Sequence, residues 1–400
     1  MSDQAGNWVA PGGAADGWAA PGSDGAPDLP PPRYGERVSP GQPGFPPPQA
    51  PAPPPPGYAP PGAYVPPPKP GLIPLHPLSF GRLLGSAFAV LRWNPVATIL
   101  PALAIQVLQV LLVYGGGALI GFSAADRIAQ ATDADRGAII AGTVAEGVIG
   151  GLLALAVAVF GGALLQGIVV IVVARGTLGE KPGVGVVLKR AWRSVLPLAG
   201  YAVLLGLAEI VAVGLVVLLV VLAAAAGTTA GVIVAVLLGV FGGLGLLVLI
   251  AWLTVKLALV PSAIVLEHLG IRAGVARSWL LIRGSFWRTL GLILLLMVIL
   301  GAAAQIVNIP FSILGSVLAG ILAPNGSDSF QGTVGSVLIS TVPSLIVASL
   351  VGAITGIAEA AARALVYLDL RMRREGLDLE LRRAVESPEP TEDAFASAPR

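Results

Sequence analysis

Ionisable side chains set inside long apolar runs are the residues of this chain best placed to do chemistry. Glu209 lies near the middle of a run dense in Leu, Ile and Val, where an ionised carboxylate costs roughly 2.5–3.5 kcal/mol in a bilayer. Lys256 lies near the end of the next run. Glu359 and Arg363 stand four residues apart in the last one, acid first, the favourable order for a helical ion pair. Brought together, Glu209, Lys256, Glu359 and Arg363 would form a polar intramembrane site for a headgroup, an ion or a proton. Held apart, they would make interhelical bonds that fix packing. Sequence leaves both readings open. Other catalytic constellations are missing: His76 and His268 are the only histidines, and both fall at predicted interfaces as headgroup or capping residues. The absence of Cys removes any thiolate nucleophile, disulfide or zinc–cysteine cluster. The Gly-rich strings YGGGALIG and VFGGLG sit within apolar runs and not after a strand, which suits close helix packing better than phosphate binding. No cofactor and no nucleic-acid partner is expected.

The elements that must position these residues are long and apolar. Runs at 95–122, 148–174, 196–226, 232–260, 290–311 and 337–368 each reach the about 20 residues that cross a hydrocarbon core of roughly 30 Å. Charged residues make up 12% of the chain, about half the roughly 25% of a soluble domain, and the runs lack the polar face that a soluble core helix shows. The expected fold is therefore all-α, a polytopic membrane protein with six transmembrane helices in the cell membrane.

Lys and Arg fall on alternate sides of those spans. Arg82 and Arg92 precede the first; Arg175, Lys181, Lys189, Arg190 and Arg193 separate the second from the third. Arg272, Arg277, Arg283 and Arg288 separate the fourth from the fifth, and Arg371, Arg373, Arg374, Arg382 and Arg383 follow the sixth. The opposite connections hold only Arg127 and Arg136. By the positive-inside rule both termini are cytoplasmic. Trp93, Trp192, Trp252, Trp279, Trp287, Tyr201 and Tyr367 cluster on the basic side as headgroup-level aromatics, with Tyr114 the exception.

Short segments before the first, third and fifth spans resemble one another. Phe80, Leu83, Leu84, Ala87 and Leu91 repeat as Val184, Val187, Leu188, Ala191 and Val195, each an i, i+3, i+4, i+7, i+11 stripe. In the third, Val275, Trp279, Ile282 and Phe286 share a side, with Arg272 and Ser278 off it. Phe88, Trp192 and Trp279 recur, and Arg190 and Arg277 each open an Arg-x-Trp string. The implied unit is an interfacial amphipathic helix followed by a transmembrane hairpin, used three times. Lys189, Arg190, Arg193, Arg277, Arg283 and Arg288 are then candidate contacts for anionic lipid headgroups, each worth roughly 1 kcal/mol near the surface.

Three regions follow: a tail at 1–72, a six-helix membrane domain at 73–384 and a polar tail at 385–400. Twenty-two of the 35 prolines lie in the first 70 residues, a composition that buries too little apolar surface to offset chain entropy. That tail is expected to be disordered with local polyproline II character, and its PPGY and PxxP strings offer contacts to a proline-reading protein partner. It lacks the basic start and apolar stretch of a signal peptide.

The stretches GLIPLHPLSFGRLLGSAFAVLRWNP, PSAIVLEHLG with RSWLLIRGSFWRTLGLILL, and ALVYLDLRMRREGLDLEL resemble the signature segments of a family of actinobacterial integral membrane proteins related to the membrane domain of glycerophosphodiester phosphodiesterases. The likeness covers roughly residues 71–381, and His76 stands where that family more often has a basic residue. The resemblance implies a six-helix membrane module and supplies no catalytic residue. Hydrolysis in such enzymes belongs to a soluble barrel of about 250 residues, for which this chain has no room. The sequence expectation is a non-enzymatic module that organises or binds lipids or protein partners at the membrane. The alternative is a small transporter or lipid-translocating protein working around Glu209.

Overall fold

The computed structural model describes residues 71–322 and 330–386 together with Phe395. The Pro-rich tail expected over 1–72 lies outside the described residues up to residue 70, and so does nearly all of the tail expected over 385–400.

Apolar side chains in a solvent without hydrogen-bond partners leave the backbone one economical solution, the helix, which satisfies its own N–H and C=O groups. The described residues form α1 (Phe80–Trp93), α2 (Pro95–Val110), α3 (Gly116–Gln130), α4 (Arg136–Thr177), α5 (Val184–Ala225), α6 (Thr229–Leu237), α7 (Gly243–Leu257), α8 (Val260–Leu266), α9 (Ile271–Ile282), α10 (Phe286–Leu322), α11 (Phe330–Glu375) and α12 (Leu377–Glu386). Six stretches are long and apolar enough to cross a membrane: Pro95–Gln130, Arg136–Thr177, Val184–Ala225, Thr229–Leu266, Phe286–Leu322 and Gly335–Glu375. They cover the six expected runs, all but Ala226 of the third, and extend most of them by several turns, as befits a multi-pass membrane protein.

Two spans carry a π-helical turn, at Leu111–Gly115 and Leu238–Gly242, and both fall on the Gly-rich strings. At Gly242 an added Cβ would lie 3.3 Å from Val216 of α5, so close packing is real there; Gly115, Gly116 and Gly117 face open space.

The three segments that precede odd-numbered spans differ in continuity. Asn94 separates α1 from α2 and caps it by accepting from the Ala97 N–H, while Gly284, at φ +84, lets the chain turn between α9 and α10. The middle segment makes no separate helix: residues 184–195 are the first turns of the 42-residue α5, with Pro197 inside it. At 1.5 Å per residue α5 is ~63 Å long, about twice the hydrocarbon thickness, so its first turns lie beyond the apolar run.

Burial also revises the third stripe. Leu83, Ala87 and Val90 are buried in α1; Val187, Ala191 and Ser194 in α5; and Gly274, Ser278 and Leu281 in α9. Each set is an i, i+4, i+7 face at matching positions. Ser278, expected off the stripe because it is polar, sits at its centre, and Trp279, expected on it, is 40% exposed. The hydroxyl explains the burial: it donates to the Lys256 carbonyl at 2.7 Å and accepts from the Leu259 N–H at 3.3 Å, spending both capacities on the α7–α8 junction.

Helix α11 packs against α1, α2, α4 and α10, and its stretch from Ile357 to Met372 holds much of the core, including Leu365, Tyr367 and Leu368. Beyond Gly200, by contrast, α5 buries nothing, and the facing α6 and α7 bury only Ala235 and Val255.

Candidate functional site

The end of α11, read as YLDLRMRRE, alternates charge so that residues four apart share a face of the helix. Two rows result. Tyr367, Arg371 and Glu375 look toward α8 and α9, and Asp369 with Arg373 looks toward the segment leading into α1.

The first row closes a four-charge lattice. Glu267, at the end of α8, accepts from Arg277 Nε at 3.0 Å and Nη2 at 2.9 Å, lies 3.6 Å from Arg371 Nη1, and accepts from the Tyr367 hydroxyl. Glu375 takes Arg277 Nη1 at 2.6 Å and Arg371 Nε at 3.0 Å. Arg371 also donates to the Phe395 carbonyl at 2.7 Å and lies over the Tyr367 ring. Two carboxylates meet two guanidiniums, and the Glu267 and Arg371 side chains are 2% and 3% exposed. Burial works against the charged form of Arg277, but its hydrogen bonds to Glu375 and Glu267 outweigh burial and raise its pKa. The backbone helps to aim Glu267: the next residue, His268, turns the chain at φ +53, a left-handed conformation that His enters more readily than most residues.

The second row clamps the chain before α1. Asp369, 2% exposed, accepts the Leu78 N–H at 2.7 Å and is held by Arg288 and Arg373, each at 3.0 Å. Both arginines also reach the Leu78 carbonyl, at 2.7 and 2.6 Å. One buried carboxylate thus meets two cations, and the clamp keeps a net positive charge. A third arginine, Arg374, donates to the carbonyls of Leu280, at 3.0 Å, and Arg283, closing the end of α9.

The expected basic headgroup contacts separate into two groups here. Arg277 and Arg288 are held inside the lattice and the clamp. Lys189 and Arg193 are exposed and Arg190 is half-buried, and none of the three forms an ion pair among the described residues. Trp192 and Leu196, 66% and 74% exposed, lie beside them. Arg283 is exposed; its backbone N–H donates to the Leu280 carbonyl at 3.3 Å and its carbonyl accepts from Arg374, while its guanidinium forms no ion pair among the described residues.

The expected intramembrane group is spread along the helices. Glu359 and Arg363 pair at 3.4 Å. Arg363 and Glu209 both lie within electrostatic reach of Tyr201, whose hydroxyl donates to the Leu257 carbonyl at 3.3 Å. Glu209, two turns further along α5, is ~12 Å from that level, half-buried, and forms no hydrogen bond among the described residues. Lys256 turns elsewhere, with its ammonium 4.9 Å from the Trp279 ring, which itself packs edge-on against Trp252.

Sequence reasoning missed Glu267, Asp369 and Glu375 as partners of its arginines. The signals were there: Asp369–Arg373 and Arg371–Glu375 have helical pair spacing, and Glu267 is an acid immediately after an apolar run. Among the described residues no cluster of His, Asp and Glu could hold a metal ion. Comparison with protein families, curated proteins and solved structures gave no match to this chain.

Proposed function

We propose that this chain is a non-enzymatic membrane module whose basic end binds anionic lipid headgroups and so organises the membrane around it. One observation carries the reading: the arginines are partitioned. Arg277, Arg288, Arg371 and Arg373 are matched to buried or half-buried carboxylates, whereas Lys189, Arg190 and Arg193 remain without ion pairs among the described residues, on a helix end that also exposes Trp192 and Leu196. A free cation beside an exposed ring and an aliphatic side chain suits a surface that is charged outside and apolar beneath. The matching buried positions on α1, α5 and α9 support a unit used three times, with α1 and α9 as interfacial helices. The alternation of Lys and Arg between connections supports cytoplasmic placement of both termini, and the proposed likeness to phosphodiesterase membrane domains rests on the sequence segments alone.

The test uses the whole protein in nanodiscs of mixed phosphatidylglycerol and phosphatidylcholine. Replacing Lys189, Arg190 and Arg193 with Gln is expected to lower the phosphatidylglycerol retained in native mass spectrometry by about tenfold or more, at roughly 1 kcal/mol per cation. Equal retention removes electrostatics from the account. Orientation is tested separately on this Cys-free chain: Thr228→Cys is expected to react in intact cells with a membrane-impermeant maleimide, and Gly183→Cys only after lysis. The reverse pattern overturns the cytoplasmic placement. A second reading, a small transporter, draws on Glu209, a carboxylate within an apolar span with no hydrogen-bond partner among the described residues. It requires a proteoliposome flux that Glu209→Gln abolishes.

A further inference from the structure

Residues 385–400 read as a polar tail, yet Phe395 within them is 8% exposed and belongs to the same buried apolar cluster as Tyr367, Leu377 and Leu381. No other aromatic residue follows Tyr367 in the chain. The Phe395 carbonyl accepts from Arg371 Nη1 at 2.7 Å, so one residue is engaged twice, its ring among apolar side chains and its main chain by a guanidinium. An aromatic side chain buries about 150–250 Å², more than the Pro, Ala, Ser and Thr around it in the sequence can offer.

Arg371 gives this seat its chemistry. Its side chain is 3% exposed, its Nε is committed to Glu375 at 3.0 Å, and its Nη1 lies 3.6 Å from Glu267, outside hydrogen-bond reach. The short Nη1 bond goes to Phe395 instead. A buried N–H left without an acceptor is costly, so with Phe395 gone the guanidinium must turn to Glu267 or admit water. The lattice therefore has two arrangements: Arg371 shared between the tail and the carboxylates, or given wholly to the carboxylates.

The hold on Phe395 is narrow. Helix α12 packs through its own Leu377 and Leu381, both fully buried, and through Arg382, which donates to the Leu75 carbonyl at 3.0 Å. Residues 387–394 tether Phe395 to the end of α12 and keep it near its seat at an effective concentration on the mM scale. Charge favours the same docking. Glu386, Glu389, Glu392 and Asp393 precede Phe395 with no basic residue among them, while Arg373 and Arg374, two and three residues beyond Arg371, are exposed.

We infer that Arg371 floors a docking seat for an acidic, aromatic-bearing peptide segment, and that the occupant is the C-terminal segment of this chain, bound through Phe395 as a tethered and releasable ligand. Release lets Arg371 close on Glu267; docking draws it back. The end of the chain is thereby coupled to the lattice that joins α8, α9 and α11. Lys189, Arg190 and Arg193 take no part, so the seat and the lipid surface stand or fall separately.

The experiment uses the full chain in phosphatidylcholine nanodiscs, with Ser397→Cys carrying a nitroxide as the sole thiol label and its mobility read by electron paramagnetic resonance. The docked tail is expected to give a restricted spectrum. A synthetic peptide of residues 387–400 at about 10 mM, above the effective concentration of the tether, is expected to convert most of it to a mobile one. The same peptide with Phe395→Ala is expected to need about tenfold more or worse, as for loss of a buried aromatic anchor. Phe395→Ala in the labelled chain is expected to be mobile without peptide, with thermal unfolding to verify its folding; if that variant does not fold, the peptide titration of the Phe395 chain decides alone. A mobile spectrum at the outset means an empty seat and overturns the assignment. So does a restricted spectrum that the peptide leaves unchanged, which marks a fixed element, and so does equal displacement by the two peptides, which leaves charge alone at work.

Discussion

The basic end of the molecule and the hairpin of α5 with α6 and α7 are held together by opposite means. At the basic end, helices α8, α9, α10 and α11 and the chain before α1 are joined by buried carboxylates and guanidiniums with nearly every polar atom matched. In the hairpin, residues such as Val203, Leu207, Ile210, Leu244 and Leu247 stand exposed, and adhesion to the rest of the protein is thin. Lipid tails are as apolar as Leu, so burying such side chains against protein gains little that lipid does not already give. Directional bonds, by contrast, gain where water is partly excluded. The lesson is that stability in this chain should concentrate where its charges are, not where its leucines are.

The largest expected effect tests that concentration directly. Arg371→Ala leaves Glu267 and Glu375 short of a cation in a buried setting, and a loss of about 3–5 kcal/mol is expected, measured by denaturant unfolding in detergent micelles. A loss under about 1 kcal/mol would break the contrast between the regions. Gly315→Ala comes next. An added Cβ would lie 1.9 Å from the Ser340 carbonyl oxygen, and because that atom is backbone, α10 and α11 must separate; a loss of about 1–3 kcal/mol is expected from overpacking. Close helix approach then ranks as a second, local source of stability outside the charged end.

Arg288→Lys sharpens the comparison within the clamp. The guanidinium reaches Asp369 and the Leu78 carbonyl together, and an ammonium keeps the charge without the fork. A loss of about 1–2 kcal/mol by the same unfolding measurement is expected; no loss would mean that charge alone suffices. The smallest effect belongs to the hairpin. Ile210→Ala, at a position 68% exposed, is expected to change stability by at most about 0.5 kcal/mol. A loss comparable to that of Gly315→Ala would reveal a packing partner on that face.

Much of this architecture is legible in sequence because a bilayer imposes a length and a composition that apolar runs display openly. All six runs reappear as helices for that reason. The stripe on α9 was misread at Ser278 because hydrophobic pattern treats a hydroxyl as surface, whereas two backbone groups at the α7–α8 junction needed it inside. The Glu359–Arg363 pair was legible because both partners lie on one helix. The lattice was not, because Glu267 meets Arg371 across about a hundred residues of chain, and apolar periodicity carries no information about which charges face each other over that span. Lys256 illustrates the same gap, since its place over Trp279 depends on how α7 meets α9.

The bond from Asp369 to the Leu78 N–H joins residues 291 positions apart. A ribosome adding about 5–20 residues per second exposes Leu78 some ~15–60 s before Asp369 exists. Throughout that interval the start of the membrane domain has its later partners missing, however well its early helices have inserted. A chain that stops anywhere before α11 is complete never acquires them, and it keeps Arg288 as an unmatched cation. The clamp therefore reports that α11 has been made: it forms only in a chain translated through that helix, and a quality-control protease that recognises loose segments at the membrane surface would find one in every copy that stops before it.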